Sequence, residues 1–206
     1  MAEKNIIGID FDNTIVCYDH VFDGTVREKF SIPASVPADK EAIRNYLRSE
    51  GGEDDWIRLQ GYIYGEGIRL CRPFPGVLDF LRSCRQKGVK ALIISHKTPR
   101  PFKGPAHNLP EAARNWLRAN GFYETADTGI NPAEVNFVPT KQEKIELIAA
   151  NKCDFFIDDL PEFLLEPGFP ERTQRILFDP HNTGRPDARY QKAISWEQVG
   201  NIIFNR

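Results

Sequence analysis

The stretch Ile6-Ile7-Gly8-Ile9-Asp10-Phe11-Asp12-Asn13-Thr14 constrains the fold more than any other. Ile6 to Ile9 is a short continuous apolar run, the pattern of a strand buried on both faces of a parallel sheet. The run stops at Asp10, because burying an unpaired carboxylate is costly. Asp10 and Asp12 are therefore expected just past the C-terminal end of the strand, where open α/β sheets bind ligands. Two carboxylates this close repel each other unless a cation or a shared proton relieves them. A second acidic pair, Asp158-Asp159, follows another apolar run, Phe155-Phe156-Ile157, far down the chain.

The chain after Pro73 is regular. Val77, Leu78, Phe80 and Leu81 mark a helix that opens at Phe74-Pro75-Gly76 and ends at Gly88. Val89 to Ile94 predicts a second buried strand stopping at Ser95, with His96, Lys97 and Thr98 at the same rim. Further strands are expected over Val135 to Val138, Phe155 to Ile157 and Arg175 to Phe178. Helices are expected from Pro110 to Asn120, from the Thr140–Glu143 capping box to Asn151, and from Trp196 to Phe204. This alternation predicts an α/β fold, a Rossmann-like parallel sheet with helices on both faces. Residues 99 to 110 hold four prolines and one glycine and read as a loop.

The segment from Ile15 to Arg72 breaks the alternation. Asp23-Gly24 suits a tight turn. Ile43, Tyr46 and Leu47 share one helical face after the start signals Pro37 and Asp39, and Trp56, Leu59 and Ile63 share another after Asp54 and Asp55. The expected organisation is a core of residues 1–14 and 73–206, with 15–72 a small, mostly helical cap inserted after the first strand as a lid over the strand ends.

Bulk properties narrow the function. A chain of 206 residues can form one good core and a small accessory lobe. A formal net charge of -2 offers no basic excess for nucleic-acid binding. No apolar run approaches a membrane span, and Met1 to Asn5 lack the layout of a signal peptide. Cys17, Cys71, Cys84 and Cys153 show no zinc or C-x-x-C spacing, which suits free thiols in a reducing cytoplasm.

Three buried strands thus end on Asp10, Ser95 and Asp158, and a helix entering the same rim carries Lys141 and Lys144 in its first turn. The set suits phosphoryl transfer. Asp10 is the expected nucleophile and Asp12 the group that protonates the leaving oxygen and then activates water. Ser95 would hydrogen-bond a phosphoryl oxygen, and a lysine would neutralise the transition state. Lys141 lies at the helix start facing the sheet; Lys144 is one turn in, but its side chain leans back toward the rim. Both stay open. Mg²⁺ takes oxygen ligands, and Asp10, Asp158 and a carbonyl near Asp12 would supply them, with Asp159 positioning a water or the lysine. His96 and Lys97 are candidate substrate contacts beside Ser95. Trp56, Tyr62 and Tyr64 suit a helical core or a substrate lining. Arg58, Arg69 and Arg72 suit a solvated face or anion contacts.

The pattern Asp10-Phe11-Asp12-Asn13-Thr14, then Ser95 after an apolar strand, then a lysine, then Asp158-Asp159, resembles the haloacid dehalogenase-like (HAD) superfamily, in its phosphatase branch with a C1-type cap. The resemblance implies a Rossmann-like sheet, magnesium dependence and an aspartyl-phosphate intermediate. Members that cleave carbon–halogen bonds lack an aspartate at the place of Asp12, so a phosphate substrate is implied. The expected function is a magnesium-dependent phosphatase hydrolysing a small soluble phosphomonoester. A phosphomutase would use the same two aspartates. A receiver-like signalling module also combines these residue types, but in another chain order. The lid aromatics suit a homodimer contact as well as a substrate.

Overall fold

The computed structural model describes residues 5–22, 24–38 and 40–205. The turn expected at Asp23-Gly24 and the start signal Asp39 fall on or beside residues outside that set, as do Met1 to Lys4. In chain order the elements are β1 (Ile6–Ile9), β2 (Val16–Cys17), α1 (Thr25–Lys29), α2 (Lys40–Glu50), α3 (Glu53–Tyr64), β3 (Arg72–Pro73), α4 (Val77–Lys87) and β4 (Lys90–His96). Then come α5 (Leu109–Ala119), α6 (Thr125–Thr128), β5 (Val135–Val138), α7 (Lys141–Ala150), β6 (Phe155–Asp158), α8 (Pro161–Leu164), β7 (Gln174–Phe178), β8 (Gln191–Ala193) and α9 (Trp196–Phe204). Short 3₁₀ turns lie between some of them. Among the described residues no helix is long and apolar enough to cross a membrane.

The chain divides into two compact units, one of residues 1–16, 73–97 and 121–206, the other of 17–72 and 98–120. The first unit holds a six-stranded parallel sheet in the order β5-β4-β1-β6-β7-β8. Successive strands run outward from β1 through β4 to β5, and the chain then returns to the other side of β1 with β6. The strand order therefore reverses at the β1/β6 crevice, the position where such sheets bind ligands.

Strand side chains alternate between faces, so the register fixes which residues share a side. Gly8 is opposite Leu92 and Phe156, and Asp158 is opposite Leu177. Leu92, Ile94, Phe156 and Leu177 pack with Ile145 and Ile148 of α7 and Phe163 and Leu164 of α8. On the opposite face, Phe178 packs against Trp196 of α9, which also meets Phe80 of α4. Asp10 and Asp158 continue the first series and so emerge on the α7 side. Ser95 and Phe137 continue the second.

The second unit is helical. Trp56, Leu59, Tyr62 and Ile63 are buried in it, which makes core residues of Trp56 and Tyr62. The proline-rich loop belongs here because it packs on α3: a Cβ at Gly61 would lie 2.8 Å from the Lys103 carbonyl oxygen and from Pro101 Cβ. Trp116 Nε1 donates to the Cys71 carbonyl at 3.0 Å, tying α5 to the same unit.

Two local differences from the expected elements have plain causes. The second strand of the large sheet runs through Ser95 to His96, because these residues pair with Phe137 and Val138 of β5. β8, with the sequence Gln-Lys-Ala, is too short and polar to show a period. α4 starts after Gly76 and stops at Gly88, where a φ of 68° suits a residue without a side chain.

Gly8 is where β1 approaches its neighbours most tightly: an added Cβ would sit 2.5 Å from Phe156 Cδ2 and 3.2 Å from Cys153 Sγ. Gly8→Ala is expected to destabilise the fold by about 1–3 kcal/mol through overpacking, read as a lower urea midpoint at unchanged slope.

Candidate active site

All residues of the site belong to the first unit. β1 and β6 lie side by side, with Ile9 opposite Ile157 and the Asp10 amide donating to the Ile157 carbonyl at 2.9 Å. The next residues on the α7 side are Asp10 and Asp158, both buried. Two adjacent buried carboxylates require a counter-charge. Lys144 supplies it, with Nζ 2.5 Å from Asp10 Oδ1 and 2.6 Å from Asp158 Oδ2. α7 aims this lysine. Thr140 caps the helix by accepting from the Glu143 amide at 3.1 Å, and Ile145 and Ile148 anchor it on the sheet. Lys144 also lies over the Phe163 ring at 4.0 Å, in an apolar wall that excludes water.

Lys141 goes elsewhere. Its Nζ is 3.0 Å from Glu166 Oε1, with nearly half of the side chain exposed. One helical turn separates the two lysines, and that turn decides which one reaches the carboxylates.

The charges of the cluster settle unequally. Burial pushes the Asp10 carboxyl up from its ordinary 3.8 to about 7, against the lowering by Lys144 and with a further push from the Asp158 charge. Burial alone would lower Lys144, but Asp10 and Asp158 hold its proton so well that it rises above the ordinary lysine range. Lys144 is therefore held charged, and Asp10 takes up a proton more readily than an ordinary carboxylate.

One carboxylate oxygen from each of Asp10, Asp158 and Asp159 lies within 4.8 Å of the others. Three carboxylates face a single ammonium, and the donors are all hard oxygens. This set fits a Mg²⁺-type cation, which binds through carboxylates and keeps part of its water shell. Asp158 Oδ1 accepts from the Leu160 amide at 2.9 Å, so its orientation is set by the following turn. The Asp12 carboxylate is not in this group.

The other side of the sheet carries the remaining candidates. Ser95 and Lys97 are two residues apart, both buried, and point the same way; His96 between them is exposed, with Nε2 2.9 Å from the Pro139 carbonyl oxygen. Lys97 Nζ donates to both Asp12 oxygens, at 3.0 and 2.7 Å. Sequence reasoning placed Lys97 at the rim but did not see this pair. The signal was the spacing Ser95-His96-Lys97 itself, since a strand carried two residues further must bury Lys97 beside Ser95.

No protein-family model and no curated protein matches the sequence. Solved structures do. A HAD family hydrolase from Deinococcus radiodurans, with bound phosphate and sodium, is similar over 100% of this chain and 97% of its own, at 12% identity and a TM-score of 0.60. YfnB of Bacillus subtilis, described as a HAD-hydrolase and bound to magnesium, is similar over 98% of this chain and 99% of its own, at 12% identity and a TM-score of 0.56. A predicted phosphoglycolate phosphatase from Haemophilus somnus is similar over 98% and 99%, at 14% identity and a TM-score of 0.54. The fold of this chain is that of the HAD-superfamily hydrolases.

The raised Asp10 pKa makes stability depend on pH. Between 3.8 and about 7 the unfolded chain has released a proton that the folded chain still holds. The stability Asp10 contributes is thus complete below its unfolded value and is lost as pH rises through its folded value. In metal-free protein with a chelator, urea midpoints from about pH 4.5 to about pH 7.5 are expected to fall more steeply for the natural chain than for Asp10→Asn.

Proposed function

We propose that this chain is a Mg²⁺-dependent phosphatase that hydrolyses a small phosphomonoester through an aspartyl-phosphate on Asp10. The observation that carries the reading is the convergence of Asp10, Asp158 and Lys144 at the β1/β6 crevice, with Asp159 completing an oxygen-only donor set. The similarity to HAD-fold proteins bound to phosphate and to magnesium supports it.

In this reading an Asp10 carboxylate oxygen attacks phosphorus. The new acyl-phosphate bond forms as the ester P–O bond breaks, and Asp12 gives a proton to the leaving oxygen. Asp12 then takes a proton from water, whose oxygen attacks phosphorus and releases inorganic phosphate and the Asp10 carboxylate. Lys144 favours the ionised form of Asp10 against the effect of burial and balances the charge of the phosphoryl group, and the Ser95 hydroxyl donates to one of its oxygens. When bound by Asp10, Asp158 and Asp159, Mg²⁺ supplies charge neutralisation for the phosphoryl oxygens. Lys141, on Glu166, takes no part.

The test is phosphate release from sugar, nucleotide and carboxylic-acid phosphomonoesters, with and without magnesium. Magnesium-dependent release lost in Asp10→Asn is expected. Lys144→Ala should lower kcat by about a hundredfold or more, while Lys141→Ala stays close to the natural chain. Asp158→Ala should raise the magnesium concentration needed. Release that persists in Asp10→Asn overturns the nucleophile assignment. Product isomers in place of free phosphate would turn the reading to a mutase.

A further inference from the structure

Lys97 is a buried ammonium that the hydrolytic scheme above leaves without work. Its side chain is 2% exposed, against 20% for that of Asp12. Its place is set from the backbone outward. The Lys97 amide donates to the Val138 carbonyl at 2.7 Å, so β4 and β5 remain paired one residue past the end of β4. The side chain therefore leaves the sheet on the same side as Ser95. The ammonium lies 5.3 Å from the Phe11 ring centroid and 6.0 Å from that of Phe137, and these two rings meet edge to face at 5.3 Å. The aromatic walls leave the ammonium aimed at both oxygens of Asp12.

Asp12 needs such a guide. It lies beyond β1, where the chain turns, and the next residue, Asn13, has a left-handed φ of 55°. A carboxylate torsion is broad and roughly two-fold, so the backbone alone does not orient it. Proton transfer needs that orientation, since the donor must be within hydrogen-bond reach of the leaving oxygen.

We propose that Lys97 is a positioning residue: it fixes the orientation of the Asp12 carboxylate for proton transfer and does not itself contact the substrate. The inference rests on Asp12 being the acid–base group of the phosphatase reading. Lys144 points its ammonium between the two carboxylates of the proposed phosphate site; Lys97 is enclosed by the Phe11 and Phe137 rings and directs its ammonium at the oxygens of Asp12.

The experiment uses Lys97→Met, Lys97→Arg and Asp12→Asn in the full chain with magnesium. The substrates are nitrophenyl phosphate, whose leaving group needs little protonation, and glycerol phosphate, whose alkoxide needs it fully. Inorganic phosphate serves as the competitive inhibitor. In Lys97→Met, kcat/KM for glycerol phosphate is expected to fall about a hundredfold, but for nitrophenyl phosphate only a few-fold, with the same bias in Asp12→Asn. The inhibition constant of phosphate stays unchanged, which also reports an intact site, and Lys97→Arg recovers most of the loss. Equal losses on both esters overturn the proposal. So does a weaker phosphate inhibition that tracks a rise in KM, the mark of direct substrate contact. If the natural chain releases phosphate neither from these esters nor from the sugar, nucleotide and carboxylic-acid phosphomonoesters named above, the phosphatase reading falls by itself. A crystal structure of Lys97→Met then decides the geometric claim: a reoriented Asp12 carboxylate supports it, and an unmoved one overturns it.

Discussion

Lys144 sits between two buried carboxylates, and the first unit is arranged so that it can. Parallel pairing of β1 with β6 forces Asp10 and Asp158 together on one face. Removing one partner from such a buried set leaves a charge uncompensated, at a cost of about 3–5 kcal/mol. A well-packed apolar trio would be at least as stable, so the cluster is poorly explained as a stabilising device. In the phosphatase reading its value is chemical: a carboxylate in a dry setting, beside a cation, at the reversal point of the sheet. The Lys141–Glu166 pair is the contrast. It is exposed, and pairs of that kind are worth about 0–1 kcal/mol.

The sheet sorts the site into two sides. Asp10, Asp158 and Lys144 lie toward α7; Ser95, Phe11, Phe137 and Lys97 lie toward the other face. Asp12, just beyond the strand, is held by Lys97 from that second side. Each of the two aspartates of the first motif therefore has its own lysine, delivered by a different element. In the proposed reading, nucleophile and acid–base group would then be held and adjusted separately, although only Phe11 lies between them in the chain.

The strands that carry the site were legible because each is an apolar run ending on a polar residue. β1, β5 and the large helices match their expected positions for that reason, and for the punctuation of Gly76, Gly88 and Thr140. β4 continues past its apolar run because strand pairing with β5 continues, and pairing is a property of two segments that neither shows alone. The same holds for the loop of residues 99 to 108. Its prolines announce a loop, but only packing against Gly61 places it in the helical unit.

By itself the sequence determined the residue types, their order, and their position at strand ends, since burial energetics leaves few other places for Asp10, Asp12 and Asp158. The tertiary structure decided the partnerships. Lys141 and Lys144 share a helical turn and a chemistry, and Lys97 and His96 are neighbours; nothing local separates the members of either pair. Helix rotation on the sheet buries Lys144 and exposes Lys141, and strand alternation buries Lys97 and exposes His96. Both outcomes depend on the direction in which a side chain leaves its element, which is fixed only once that element has packed against another.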